Sequence, residues 1–340
     1  MSAPFVVVDA DVLGRSRTGD ETYVANLLRE LPSLAHAAGI RIGAVTRHPE
    51  LVPEGIEPLS LTTPLQPLRM GWMLSRLLDR VGAGLVHTQY AIPLRCPCPA
   101  VVTVHDLSFE RDSSVMKLHD RLMFKWAVPR AARAAKKVLT VSERSKHDLV
   151  EMYRLSPDKI VVTPNGVDLA FTPGPCGSQD YVLSVGAIQK RKNQIAALRA
   201  AQAVGLPLVV VGPEKDQAVA RELRAQGATL RGYVSQEELI ALYRGATCLV
   251  QASGYEGFGL PVLEAMACGT PVVIVPEAAL LEVAGNAAVV VDDESLADGI
   301  QRAIADRDRL VAAGVSRASQ FSWRVLAEQT IAEYEEVLGR

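Results

Sequence analysis

Two carboxylates, Glu256 and Glu264, bracket the Gly-rich turn in residues 253–273, SGYEGFGLPVLEAMACGTPVV. A carboxylate accepts hydrogen bonds from vicinal hydroxyls, so this pair could hold two polyol groups on either side of a bound phosphate. Gly257 and Gly259 would let backbone approach such a ligand closely. The spacing alone favours two unrelated surface glutamates; the GFGLP turn between them reverses that. Further back, Lys190-Arg191-Lys192 puts three cations in a row. They could neutralise a diphosphate, the arginine bidentately, or simply solvate the start of a helix. His105 closes the apolar run VVTVH. At the end of a buried strand it is either a hydrogen-bonded structural residue or a ligand contact.

These residues need elements to hold them. The run 247–250 reads as a buried strand, 260–268 as a helix and 271–275 as the next strand. Pro261 near the start of that helix and Gly269 after its end are the expected punctuation. Strand, glycine turn and helix together aim free N–H groups and a positive helix end at an anion. The same grammar recurs at 181–185, where Gly186 and the cationic loop precede a helix reaching about residue 203. It also opens the chain: a strand at 5–8 ends in Asp9-Ala10-Asp11, then come Gly14, Gly19 and a helix from about Thr22. An Asp-x-Asp can bind a divalent metal, but its place after the first strand favours a turn cap. In residues 233–238, Ser235 and Glu238 have the spacing of a capping box.

Apolar strands at 42–45, 85–87, 101–104, 138–141, 160–162 and 208–211 alternate with helical stretches, which predicts doubly wound parallel sheets. With 340 residues, two domains are expected. Residues 164–180 carry three prolines and three glycines without periodicity and read as a hinge between them. The expected division is 1–168, a linker at 169–180, a second domain at 181–321 and a final helix at 322–340, with the two domains able to close over a cleft.

EGFGLPVLEAMACGTPVV closely resembles the E-x7-E nucleotide-sugar motif of the retaining glycosyltransferases with the GT-B fold (glycosyltransferase family 4, group 1, mannosyltransferase-like). VVTVHDLSF, SERSKHDL, PNGVD and the RKN loop ending follow the family's order, so the resemblance covers nearly the whole chain. It implies two Rossmann-like α/β domains facing a cleft, with the last helix crossing back to the first domain. It implies that Glu256 contacts the transferred sugar and Glu264 the nucleotide ribose. The backbone of Gly257, Phe258, Gly259 and Leu260 would hold sugar hydroxyls and the distal phosphate. His105 would contact the donor sugar, with Asp106 orienting it or shaping the acceptor site. Lys192 matches the family's diphosphate clamp, while Ala187 stands where the family has an arginine, so Arg191 takes that part. Tyr233 and Val234 would lie beside the base, with Gly186 and Gly19 also on the donor side. The loop Arg17-Thr18-Gly19-Asp20-Glu21 departs from the family by lacking a second glycine.

The implied activity is sugar transfer from a nucleotide diphosphate donor, with GDP-mannose favoured by the style of the motifs. The acceptor would be the hydroxyl of a glycan or glycolipid, and the anomeric configuration would be retained by a same-face route. No cofactor and no metal is expected, since lysine, arginine and helix dipole already face the diphosphate. A sugar-nucleotide epimerase or hydrolase and a non-catalytic nucleotide-sugar binder are the rival readings. A dinucleotide oxidoreductase is disfavoured, because no G-x-G-x-x-G follows the first strand.

A net charge of -2 gives no basic excess for nucleic acid. No apolar run approaches the ~20 residues of a membrane span, and MSAPFVVVDAD reads as a strand rather than a leader, so a cytoplasmic location is expected. Cys96 and Cys98 in RCPCPA lack a second ligand pair among Cys176, Cys248 and Cys268, so reduced thiols are expected rather than zinc. Residues 68–81 place Met70, Met73, Leu74, Leu77 and Leu78 on one helical face, for packing on the sheet or for a membrane surface. Residues 116–137 read as a long helix interrupted at Pro129 and carrying Arg130, Arg133, Lys136 and Lys137. That basic face is either solvated or a dock for anionic lipid at the inner membrane face.

Overall fold

The computed structural model describes residues 3–15, 19–63, 65–111, 116, 118–175 and 180–340. Arg17, Thr18 and Cys176, all named above, lie outside the described residues. The chain forms two compact units, Met1–Gly166 with Trp323–Arg340, and Val167–Ser322.

The first unit is built on seven parallel strands: β1 (Phe5–Asp9), β2 (Arg41–Thr46), β3 (Glu57–Ser60), β4 (Leu85–Gln89), β5 (Ala100–Thr103), β6 (Lys137–Thr140) and β7 (Ile160–Val162). Their order is β3-β2-β1-β4-β5-β6-β7. Helices cover both faces of such a sheet, so its central strands are apolar throughout rather than alternating; all five residues of β1 are buried. The order reverses between β1 and β4, which makes the carboxyl ends of those strands the place for a ligand. The terminal helix Trp323–Leu338 belongs to this unit and packs on the helix Gly19–Ala37. A buried polar chain fixes it there. Tyr334 Oη meets His87 Nδ1 at 2.6 Å, His87 Nε2 meets Thr103 Oγ1 at 2.7 Å, and Thr103 Oγ1 meets Tyr23 Oη at 3.1 Å.

The second unit has six parallel strands: β8 (Val182–Val185), β9 (Leu208–Val211), β10 (Thr229–Gly232), β11 (Cys248–Gln251), β12 (Val272–Ile274) and β13 (Val289–Val290). The order β10-β9-β8-β11-β12-β13 reverses between β8 and β11. The doubly wound α/β class expected of the sequence holds for both units.

Three local expectations need correcting. The basic helix runs over Leu118–Ala134 with Pro129 inside it, and Lys137 instead opens β6. There Lys137 bridges Glu333 and Glu336 at 3.3 and 2.9 Å, so it ties the sheet to the terminal helix and is no part of a solvated face. Residues 68–81 are not one regular helix: a short turn Gln66–Leu68 leads through a π-turn, Arg69–Met73, into the helix Leu74–Arg80. Its buried stripe contains Arg69 beside Leu74, Leu77 and Leu78, with Met70 and Met73 only half-buried. Finally, the capping box is half formed. Ser235 Oγ accepts from the Glu238 N–H at 3.1 Å, but the Glu238 carboxylate turns to Arg231.

Candidate active site

The loops after β8 and β11 meet at the reversal point of the second sheet. After β8 the chain passes Gly186, makes a single 3-10 turn over Lys190–Lys192, and starts the helix Gln194–Ala203 at Asn193. Asn193 adopts the left-handed conformation (φ 50°), which asparagine tolerates better than most residues. Neighbouring Gly212 has no room for a side chain, since a Cβ there would stand 2.2 Å from the Gly186 carbonyl oxygen. Together these fix where Lys192 and Arg191 project.

They project onto Glu256. Lys192 Nζ pairs with Glu256 Oε1, and Arg191 Nη1 lies 3.6 Å from Oε2. Arg191 also donates to the Tyr255 carbonyl at 2.7 Å, while its own carbonyl accepts from the Gly254 N–H at 2.9 Å. The two loops are thus laced together by backbone as well as charge. From the end of β11, Gln251 Nε2 donates to Glu256 Oε1 at 2.8 Å. Glu256 is 7% exposed. Burial pushes its pKa up, but attraction to Lys192 and Arg191 and hydrogen bonds from Lys192 and Ser253 outweigh that and bring it down to about 2. The carboxylate is ionised at any working pH. Lys190, the first of the three cations, is exposed instead.

The helix Leu260–Ala267 begins beside this pair. Gly259 caps it at φ 114°, a conformation that strains any residue with a Cβ, and Pro261 sits in its first turn. The first-turn N–H of Leu260 has no carbonyl within the helix to meet, so it points outward at the positive helix end. Phe258 is buried against Phe321, with ring centroids 5.8 Å apart, so only its backbone can face a ligand. Glu264 follows on the second turn, half-buried. Its Oε2 accepts from Tyr243 Oη at 2.8 Å, and Tyr243 is fully buried in the helix Gln236–Gly245. Burial first, and then the Glu264 charge, raise the Tyr243 pKa far above its ordinary value, so the phenol stays a donor. Tyr233, 49% exposed, and half-buried Val234 follow β10 at the same carboxyl edge.

The structure therefore gathers Gly186, Arg191, Lys192, Glu256, Gly257, Phe258, Gly259, Leu260 and Glu264 at one end of one sheet. His105 and Gly19 stand on the first unit. His105 lies two residues past β5, with Nε2 and Gln89 Oε1 2.9 Å apart and Tyr23 meeting its ring edge-on at 4.7 Å. Burial lowers its pKa against the opposing pull of Asp20 and Asp106, which keeps the imidazole neutral at neutral pH. Asp106 does not orient the ring through its Oδ1. That oxygen accepts from the Ser108 N–H at 2.9 Å and the Ser108 hydroxyl at 2.8 Å, capping a short helix. Gly19 opens the helix Gly19–Ala37.

The Asp-x-Asp is occupied by guanidinium groups. Arg69, 1% exposed, forks onto Asp9 at 2.7 and 2.9 Å, while Arg47 and Arg15 reach Asp11 at 2.8 and 2.7 Å. Among the described residues no group of three His, Cys, Asp or Glu side chains could hold a metal ion. Nor is any helix among them long and apolar enough to cross a membrane.

Sequence reasoning missed four polar side chains that position the others: Gln251, Tyr243, Gln89 and Arg69. It also missed Glu277, which caps the helix Ala278–Ala284 through its Oε2 at 2.9 and 3.1 Å and whose pKa burial raises, with the nearby Glu256 charge adding to that. A carboxylate just after a proline and just before an apolar helix is a readable cap signal; the other four carry no local one.

Comparison with known proteins shows the family and the fold. The family model for Glycosyl transferases group 1 matches residues 171–317, and that for Glycosyltransferase Family 4 matches residues 17–171. O-antigen chain mannosyltransferase B of Escherichia coli is 33% identical over 302 residues, covering 80% of this chain and 78% of that protein. O-antigen chain mannosyltransferase RfbU of Salmonella typhimurium is 30% identical over 317 residues, covering 85% and 88%. The fold is shared with a sucrose-phosphate synthase from Thermosynechococcus elongatus, at a TM-score of 0.79 with 20% identity over 99% of both chains. With both halves matched by family models and a two-unit architecture of the GT-B kind, this chain belongs to the group 1 and family 4 glycosyltransferases.

Proposed function

We propose that this glycosyltransferase moves mannose from GDP-mannose to a hydroxyl of a glycan or glycolipid acceptor, with retention of configuration and without metal or cofactor. One observation carries the reading: a buried, ionised Glu256 held between Lys192 and Arg191, beside a helix start capped by Gly259. An arriving diphosphate competes with Glu256 for the two cations and takes the N–H groups of the helix end. As the bond from anomeric carbon to phosphate oxygen lengthens, negative charge grows on the leaving diphosphate. Lys192 and Arg191 stabilise that charge where it develops. Glu256, once relieved of its cations, accepts hydrogen bonds from sugar hydroxyls. Glu264, steadied by Tyr243, accepts from the ribose. His105, neutral and held by Gln89, is suited to a single hydrogen bond with a sugar hydroxyl. The acceptor oxygen bonds to the anomeric carbon on the face that the phosphate leaves, and its proton passes to the departing phosphate oxygen. Mannose, rather than another hexose, is supported by the names of the two O-antigen relatives and by the motif style.

The test is turnover of GDP-mannose in EDTA with a panel of mannosides and lipid-linked saccharides, the product read by proton NMR. An α-linked product from the α-linked donor is expected. A β-linked product would overturn retention, and turnover of UDP-glucose in preference would overturn the donor. Donor consumption without any transferred product would move the reading to a hydrolase or epimerase.

A further inference from the structure

The N-terminal half of the helix Leu118–Ala134 carries its apolar side chains outward. Leu122 is 60% and Trp126 58% exposed, and Met123 is exposed beside them. The buried residues of this helix, Val128, Ala131 and Ala132, all lie in its second half. Leu122, Trp126 and Arg130 follow at four-residue spacing and share a face. Arg130 ends that stripe on the loop after β4, where its guanidinium donates to the carbonyls of Ile92, Pro93 and Leu94 at 3.2, 3.3 and 2.8 Å. Exposed Leu94 carries the surface onward, its N–H bonded to the Met70 carbonyl at 3.1 Å. On either side of Met70, Leu68 is exposed and Trp72 is 52% exposed. Six large apolar side chains therefore form a band over the helix Leu118–Ala134, the loop after β4 and the turns Gln66–Leu68 and Arg69–Met73, all within the first unit. Single exposed apolar residues are ordinary; a band of this kind marks a partner.

Charge selects the occupant. Arg76 stacks on Trp72, with 3.5 Å from guanidinium carbon to ring centroid, and Arg130 lies over Trp126 at 5.8 Å. Arg121 donates to the Phe109 carbonyl at 2.9 Å, and Arg95 is exposed on the loop. None of these four arginines pairs with a carboxylate among the described residues. The neighbouring carboxylate Glu110 already pairs with Lys125 at 2.9 Å. Indole rings and leucines below, with unmatched guanidinium groups at the rim, suit a bilayer interface, where the rings sit at headgroup depth and the cations meet lipid phosphate. A second copy of the chain fits poorly, since a two-fold contact would set the same arginines against each other. We infer that this band seats the first unit on an anionic lipid surface, which fits an acceptor carried on lipid but stands on its own observations.

Flotation of the full chain with vesicles of phosphatidylglycerol and phosphatidylethanolamine, against vesicles of phosphatidylcholine alone, tests this. Strong flotation with the anionic vesicles and little with the neutral ones is expected. Trp72→Ser with Trp126→Ser should lower the partition coefficient by roughly tenfold or more. Arg76→Gln with Arg95→Gln should lower it about fivefold per charge removed. If thermal melting shows the tryptophan pair misfolded, Leu94→Gln with Leu122→Gln gives the same reading. Absence of flotation, equal flotation on both vesicles, or full retention by folded variants would overturn the inference. So would a concentration-dependent dimer in light scattering that the tryptophan variant abolishes. No donor enters the assay, so its outcome is separable from that of mannosyl transfer.

Discussion

Replacing Lys192 by methionine removes the closest counter-charge of a carboxylate that stays buried. The fall of the Glu256 pKa from 4.5 to about 2 means that the fold favours its ionised form despite burial. At 1.36 kcal/mol per pH unit, that is about 3 kcal/mol of stability at neutral pH. Because the pKa in the fold is depressed, this stability is fully present above pH 4.5 and is lost as the pH falls towards 2. Lys192→Met leaves Arg191, 3.6 Å away, as the remaining cation against an unchanged burial penalty. Breaking one side of a buried pair in this way should cost roughly 2–4 kcal/mol. At about 2–4 °C per kcal/mol for a unit of this size, the second unit should melt roughly 4–16 °C lower. Adding Glu256→Gln removes the stranded charge, so the double variant should recover at least about 1.5 kcal/mol, read as a double-mutant cycle. Scanning calorimetry at pH 7 and at pH 3 measures both effects and resolves the two units where they melt separately. A single variant melting within about 1 °C of the parent, or a double variant no more stable than the single, would refute the reasoning.

Other consequences follow from the same structure. Tyr243→Phe deletes the donor to Glu264 and should cost about 1–2 kcal/mol of stability, with weaker nucleotide binding in calorimetric titration. Arg69→Met strands Asp9 in a site where Arg69 was 1% exposed, and should lower unfolding stability by about 3–5 kcal/mol in urea titration. Burial, with His105 nearby, pulls the His87 pKa down to about 3. The unfolded chain then binds the extra proton first, so the first unit should lose stability as pH falls from about 6.5 towards 3. His87→Gln should flatten that part of a stability–pH profile.

The central strands were legible in the sequence because parallel sheets bury both faces and leave unbroken apolar runs such as FVVV and LVVV. The strands β3, β10 and β13 were not read, and each lies at a sheet edge. Strand β3, EPLS, buries only Leu59, so no apolar run announces it. Of the site, Lys192, Arg191 and Glu256 were named through the family resemblance of their loops, because charge and spacing alone also fit a solvated surface. Their supporting side chains could not. Tyr243 is called to Glu264 from 21 residues away and Arg69 to Asp9 from 60 residues away, so nothing in the local pattern of either helix marks a polar partner. Arg69 even sits among the residues of an apolar stripe, where helical periodicity expects a methionine or leucine.

The donor site is tested most directly by the melting temperature of the chain with GDP, UDP, ADP and GDP-mannose in EDTA, for the parent and for Glu264→Ala. A ligand that binds only the folded chain raises that temperature through its binding free energy. The account predicts a rise with GDP and GDP-mannose that persists in EDTA and is lost in Glu264→Ala. No rise with any of the four nucleotides would contradict the assignment of residues 253–273 as the donor site.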